Sequence, residues 1–303
     1  MILKNIDRYF PVFLLAGVVF GFAFPNFLQQ FEGLVIYMVM FIMVLLYMRV
    51  EIIDVLFHVR NPLFVFYISL ISLIIIPVLT FFLFGFLDQE SNMALVLLAA
   101  LPAGVTATAF TDIMKGKTSL TLTIVIITNL LATVTIPLLF LVLFKTNLDL
   151  DIKQLFFSLL QVMFIPLIIA KILKLIFVRK LSRMLRDYYN VCILFLMACI
   201  SMVTIAFQAV YIMENFRHLI EILLILFVAF FLFQMVGYFS VFWKKQKGTR
   251  LAVSNSTMIM NNTLGVVLSI AFFPQSVTTI MILSFIPWSL MIVLKHWYKK
   301  YLP

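Results

Sequence analysis

Two stretches of this chain concentrate oxygen-bearing and helix-breaking residues inside otherwise apolar sequence. The first reads Leu101-Pro102-Ala103-Gly104-Val105-Thr106-Ala107-Thr108-Ala109-Phe110-Thr111-Asp112. The second reads Ser254-Asn255-Ser256-Thr257-Met258-Ile259-Met260-Asn261-Asn262-Thr263-Leu264-Gly265. Pro102 removes a backbone donor and clashes with the preceding turn, and Gly104 weakens a helix further. The second stretch has no proline, but its Ser, Asn and Thr side chains compete for backbone partners. A helix interrupted in this way frees carbonyls that suit a cation, and the half-helix that follows presents its positive end to an anion. Pro102, Gly104, Thr106, Asn262 and Thr263, beside the two breaks, are the candidates for contact with a bound anion. Asp112 is the one acid in the first stretch. It is a candidate for proton or cation coupling, with pairing to Lys115 or Lys117 as the alternative.

The elements that position these residues follow from composition. Of 303 residues, 65% are hydrophobic and 11% charged, and mean hydropathy is +1.19. A soluble domain is nearer half apolar and a quarter charged. The apolar residues come in runs rather than at period two, which excludes an outer-membrane barrel. The chain reads as an all-α integral membrane protein with ten spans near 9–27, 33–50, 62–86, 92–114, 118–144, 154–178, 189–212, 217–243, 250–272 and 276–297. The run after Met1–Arg8 lacks a small-x-small cleavage site and reads as the first span, not a signal peptide.

Ten spans divide into a first repeat over residues 1–150 and a second over 151–303 within a single membrane domain. Five spans per repeat invert the second relative to the first, a layout found in secondary transporters. The two polar stretches then fall in matching spans, four and nine. Freed backbone groups cannot face lipid and must line a cavity or hold an ion.

Nineteen of the 22 bases fall on one side of the ten spans: Lys4, Arg8, Arg49, Arg60, Lys115, Lys117, Lys171, Lys174, Arg179, Lys180, Arg183, Arg186, Lys244, Lys245, Lys247, Arg250, Lys295, Lys299 and Lys300. Lys145, Lys153 and Arg217 fall on the other, among Glu32, Asp88, Glu90, Asp149, Asp151, Glu214 and Glu221. The positive-inside rule then makes both termini cytoplasmic. It also accounts for the +10 net charge without a nucleic-acid partner. Trp288, Trp297, Tyr298 and Tyr301 read as interfacial anchors. Cys192 and Cys199, seven apart in one span, read as buried small residues too far apart for a disulfide.

Other function classes lack their residues. His58, His218 and His296 sit at span edges, and Asp112 has no acidic mate at depth, so no intramembrane enzyme is expected. No Gly-x-x-x-x-Gly-Lys-[Ser/Thr] loop occurs, so ATP does not drive transport on this chain. No organic cofactor is expected. Metalloid efflux by a related carrier would favour a thiol in span four, and none is there. Asn129, Gln161, Gln208 and Gln234 read as interhelical hydrogen bonds rather than substrate contacts.

At Leu98–Thr108, Lys115-Gly116-Lys117-Thr118-Ser119-Leu120-Thr121 and Ile136-Pro137-Leu138-Leu139, the chain resembles the bacterial branch of the bile acid:sodium symporter family. Met38–Met48 resembles that family's second span, and Met260-Asn261-Asn262 stands where it has Met-Gln-Asn. The resemblance covers nearly the whole chain in span count and proline placement. It implies a panel and a core domain, with helices four and nine broken and crossing in the core. It also implies an elevator-like or rocking carrier in the bacterial inner membrane, moving an organic anion, bile-acid-like or a small carboxylate. Lipid and that anion are the implied partners, and sodium is the implied coupling ion. Carried over by position, the sodium ligands are Thr108, Thr111, Thr121, Thr257, Met258, Met260 and Asn261, with Ser72 from span three.

Two positions depart from the family pattern. Thr257 or Ser256 stands where the family has an acid in span nine, and Ala107-Thr108 stands where it has Ser-Asn. Without that carboxylate the charge offsetting a cation's desolvation is missing. A proton-coupled or uncoupled carrier of the same fold is therefore the alternative reading. Substrate, transport direction and oligomeric state are not legible.

Overall fold

The computed structural model describes residues 10–49, 62–104, 106–144, 151–176 and 179–298. Lys4, Arg8, His58, Arg60, Val105, Lys145, Asp149, Lys299, Lys300 and Tyr301, which enter the readings above, lie outside the described residues. In chain order the helices are α1 (Phe10–Ala23), α2 (Pro25–Leu28), α3 (Val35–Arg49), α4 (Pro62–Leu70), α5 (Ile76–Leu83), α6 (Gln89–Ala100), α7 (Thr106–Ile113) and α8 (Thr118–Leu143). They continue as α9 (Ile152–Ile176), α10 (Arg179–Glu214), α11 (Phe216–Phe239), α12 (Lys247–Met258), α13 (Asn262–Phe272), α14 (Gln275–Leu283) and α15 (Phe285–Tyr298). A 3-10 turn, Gln29–Leu34, leads into α3, and a π-helical turn, Ile71–Ile75, joins α4 to α5.

The chain is a multi-pass membrane protein. Among the described residues six stretches are long and apolar enough to cross a bilayer: Pro25–Leu45, Pro62–Leu83, Thr118–Leu143, Ile152–Ile176, Val191–Glu214 and Phe216–Phe239. They overlap predicted spans two, three, five, six, seven and eight. Predicted spans four and nine are each two shorter helices end to end, α6 with α7 and α12 with α13. Span ten divides between α14 and α15, and α1 covers 14 residues of span one.

The chain forms two compact units, one of residues 1–51 with 157–216 and the other of residues 52–156 with 217–303. In the first unit α1 lies along α10. Gly17 and Gly21, four apart, let the two backbones approach. A β-carbon on Gly17 would stand 2.9 Å from the Ala198 carbonyl oxygen, and one on Gly21 would stand 2.8 Å from the Met202 oxygen. This is the small-xxx-small packing of membrane helices, where dispersion rather than water exclusion drives association. The Gln29 amide donates to the Ala206 carbonyl at 3.1 Å, and the Tyr47 hydroxyl to the Met163 sulfur at 3.9 Å. Cys192 is exposed and Cys199 half-buried, both as free thiols, which corrects their reading as buried residues. A lipid-facing surface is as apolar as a packed one, so hydrophobic sequence does not separate inside from outside.

In the second unit the 26-residue α8 is the common packing partner of α4, α5, α6, α7 and α12. Ile68 on α4, Ala103 between α6 and α7, Ile124 and Val125 on α8, Val241 after α11 and Val253 on α12 form one buried cluster. Pro77 near the start of α5 offers no amide. Just ahead of it the π-helical turn closes with the Ile76 amide on the Ile71 carbonyl. Such single wide turns recur at functional sites.

Candidate functional site

The two interrupted helix pairs, α6 with α7 and α12 with α13, meet inside the second unit. Asp88 starts α6, its carboxylate accepting the Ser91 amide at 2.9 Å. The helix ends at Ala100, because Leu101 precedes a proline and is extended, with ψ 141°. On the other side α12 ends at Met258, and Asn261 caps α13 by accepting the Leu264 amide on its side-chain oxygen at 3.3 Å. Between these ends Ala103 and Met260 form an antiparallel bridge. The Gly104 amide donates to the Ile259 carbonyl and the Asn261 amide to the Pro102 carbonyl, each at 2.8 Å. Each break thus supplies the partners the other lacks, which is what bilayer depth requires of non-helical backbone.

Helix α8 closes the remaining polar groups of Ala103. Its amide donates to the Thr128 hydroxyl at 3.2 Å, and its carbonyl accepts from the Asn129 carboxamide at 3.0 Å. Asn129 therefore makes the interhelical bond expected of it, to a backbone carbonyl at the break. Thr128 is a site residue that the sequence does not mark, because one Thr in a Thr-rich helix carries no signal of its own.

Thr111 and Thr121 come together. Thr111 Oγ1 donates to the Ala107 carbonyl at 2.8 Å and accepts from the Thr121 hydroxyl at 3.1 Å. It accepts a second bond from Asn255 Nδ2 at 3.1 Å, which ties α12 to α7. All three side chains are buried. Asn255 sits in the second polar run, and only its packing against α7 distinguishes it from its neighbours.

Thr257 turns to α11. Its hydroxyl lies 3.0 Å from the Phe233 carbonyl, with those of Ser254 and Val253 at 3.1 and 3.3 Å. A β-carbon on Gly237 would stand 2.0 Å from that hydroxyl, so the two helices touch there. Met258 and Met260 are buried beside the break. Thr106 begins α7 and is exposed, Thr263 is half-buried, and Pro102 and Gly104 are buried.

Three of the sequence-derived candidates carry a buried oxygen with no protein partner: Ser72 Oγ, Thr108 Oγ1 and Asn262 Oδ1. The Asn262 amide donates to Ser284 Oγ at 3.2 Å, leaving its oxygen over. Ser72 lies in the π-helical turn, four residues after Ile68 of the cluster around Ala103. Unpartnered hydroxyl and carboxamide oxygens suit a hard monovalent cation. Asp112 is exposed at the end of α7 and accepts the Thr118 hydroxyl at 3.4 Å. Among the described residues no Lys115 or Lys117 ammonium comes within 4.0 Å of it.

A second polar group lies at the start of α6. His218 Nε2 is 3.8 Å from Asp88 and 3.4 Å from the Ser91 hydroxyl, while Glu90 accepts the Ser276 hydroxyl. Burial pushes the Asp88 carboxyl up, but the Ser91 amide and hydroxyl and then His218 outweigh it, holding it below the ordinary carboxylate value. Both Ser91 and Asp88 address the same imidazole nitrogen, which is not the relay of a nucleophilic triad. Among the described residues no three His, Cys, Asp or Glu gather to hold a metal ion.

Known proteins share this sequence pattern. A family model described as Sodium Bile acid symporter family matches residues 34–215. The chain is also similar to the "Uncharacterized sodium-dependent transporter YocS" of Bacillus subtilis (strain 168), 26% identical over 283 residues, covering 90% of this chain and 86% of that protein.

Proposed function

Because the chain belongs to the sodium bile acid symporter family, we propose that it is a secondary transporter coupling sodium to an organic anion. It works by alternating access in the bacterial cytoplasmic membrane, with both termini cytoplasmic. Membership of the family makes it a membrane transporter; the coupling ion and the anion are our reading. The observation that carries it is the crossing at Ala103 and Met260. Two half-helices, α6 and α12, end there with their negative poles, and two, α7 and α13, begin there with their positive poles. Such an arrangement serves a cation and an anion side by side.

In this reading the cation takes Ser72, Thr108, Thr121, Asn261 and the backbone near Thr257, Met258 and Met260, while Thr111, whose hydroxyl already donates once and accepts twice, holds Thr121 and Asn255 in place. The anion takes the α7 and α13 starts through Pro102, Gly104, Thr106, Asn262 and Thr263. The buried oxygens of Ser72 and Thr108 support the cation part of it, since an acceptor without a partner at this depth is costly until an ion or donor arrives. The relative's printed name points the same way for the ion.

One observation favours a second reading. The Thr257 hydroxyl is engaged with α11, and Thr257 or Ser256 stands where the family resemblance places a carboxylate that would offset a cation's charge. A proton-coupled carrier using Asp112, or a uniporter, is that reading. Uptake of labelled bile acid and small carboxylates into vesicles containing the purified protein separates them. Sodium coupling requires uptake driven by an inward sodium gradient and lost in choline. Uptake indifferent to sodium but abolished by Asp112→Asn would establish the proton route, and uptake indifferent to both would establish uniport.

A further inference from the structure

We propose that Asn129 is a ligand of the coupling cation, supplying a neutral oxygen at the crossing; this rests on the sodium-coupled reading above. Asn129 is 4% exposed in the middle of α8. Its Nδ2 donates to the Val125 carbonyl at 2.7 Å and to the Ala103 carbonyl at 3.0 Å. Two carbonyls can be met only by the amino end of the carboxamide, so they fix which way the group faces. Its Oδ1 is buried with no protein partner.

The neighbouring residue gives the contrast. Thr128 Oγ1 accepts the Ala103 amide and donates to the Ile124 carbonyl at 2.7 Å, so it has both a donor and an acceptor partner within the protein. Asn129 clamps the same residue from its other polar group and has an oxygen to spare. That oxygen belongs to the carboxamide whose nitrogen donates to the Ala103 carbonyl, and Ala103 is half of the Ala103–Met260 bridge.

Its complement is either a donor on the transported molecule or a cation. A carboxylate brings only acceptors, which a carbonyl oxygen repels. A hard cation takes neutral carbonyl oxygens readily, and Ala103 lies just beyond the C-terminal, negative pole of α6. A fixed dipole there contributes part of what a carboxylate would.

The test measures the sodium concentration for half-maximal thermal stabilisation of the full-length purified protein, at constant ionic strength with choline. Asn129→Leu and Asn129→Asp both lose the donors to Ala103 and Val125, but only Asp keeps an oxygen. The unaltered protein is expected to saturate with sodium, the Leu variant to need at least tenfold more, and the Asp variant to need less than the unaltered protein. A Leu variant within twofold of the unaltered protein, or Leu and Asp shifted alike, overturns the assignment and leaves only the clamp on Ala103. If the Leu variant does not fold, the Asp variant decides alone: a requirement equal to or above that of the unaltered protein overturns it. An unaltered protein indifferent to sodium would instead remove the sodium-coupled reading itself.

Discussion

Gly104 and Met260 lie backbone to backbone. A β-carbon on Gly104 would stand 2.7 Å from the Met260 carbonyl oxygen and 3.1 Å from its carbonyl carbon. Neither atom belongs to a side chain that can swing away. Gly104→Ala should therefore push the bridge apart, destabilising the protein by about 1–3 kcal/mol, the usual cost of overpacking. Thermal unfolding in detergent should show the lower midpoint, and vesicle uptake should fall with it. A variant with an unchanged midpoint would mean that the two strands separate easily.

Gly237 and Thr257 set the spacing of α11 and α12 in the same way. Gly237→Ala should lower the unfolding midpoint, because the hydroxyl it would strike is already held against the Phe233 carbonyl. Gly33 provides the comparison. A β-carbon added there would meet nothing within 4 Å, so Gly33→Ala should leave the midpoint nearly unchanged.

Thr257→Glu would place a carboxylate against α11, where the present hydroxyl meets backbone carbonyls. The expected result is a lower midpoint in choline with no gain in sodium stabilisation. Titration of the purified variant with sodium checks this; a gain would show that the side chain can turn to the crossing.

Thr111 takes two donors, Thr121 and Asn255, inside the second unit. Thr111→Val keeps its shape but removes the acceptor of both, leaving Asn255 Nδ2 its contact with the Met114 sulfur at 3.9 Å, at a cost of roughly 1–3 kcal/mol. Unfolding should be easier, and Asn255→Ala in the Thr111→Val background should cost less than Asn255→Ala alone. Strict additivity in that double-mutant cycle would count against a shared network.

The Asp88 carboxyl titrates lower in the folded protein than when unfolded. The stability it contributes is therefore complete above the unfolded carboxylate value of about 4 and fades as pH falls through the lower folded value. Asp88→Asn, which can still cap α6, should lower the midpoint slightly at neutral pH and flatten its decline on acidification. Melting curves from pH 7 down to the acid limit of the detergent would check the slope.

The two breaks are legible in the sequence because Pro102 and the run Ser254–Gly265 stand out against apolar residues. Their mutual pairing is implied by resemblance alone, since nothing local in either run names its partner. Thr128 and Asn255 are not legible, because a hydroxyl or carboxamide among many acquires meaning only from what packs against it. Gly17 and Gly21 escape notice for a related reason: in a chain with nine glycines, spacing four apart signals close approach only once α10 is known to lie alongside. The cysteines differ from expectation because lipid accepts them as readily as a core does.

The bridge between Ala103 and Met260 also has a consequence for how the protein is made. Helices α6 and α7 are synthesised long before α12 and α13 have left the ribosome. During that interval the Gly104 amide and the Pro102 carbonyl lack the partners they finally take. The nascent first half must keep its broken helix hydrated or near the insertion machinery until the second half arrives. Residues 1–150 expressed alone should therefore be turned over rapidly, and co-expression with residues 151–303 should rescue them.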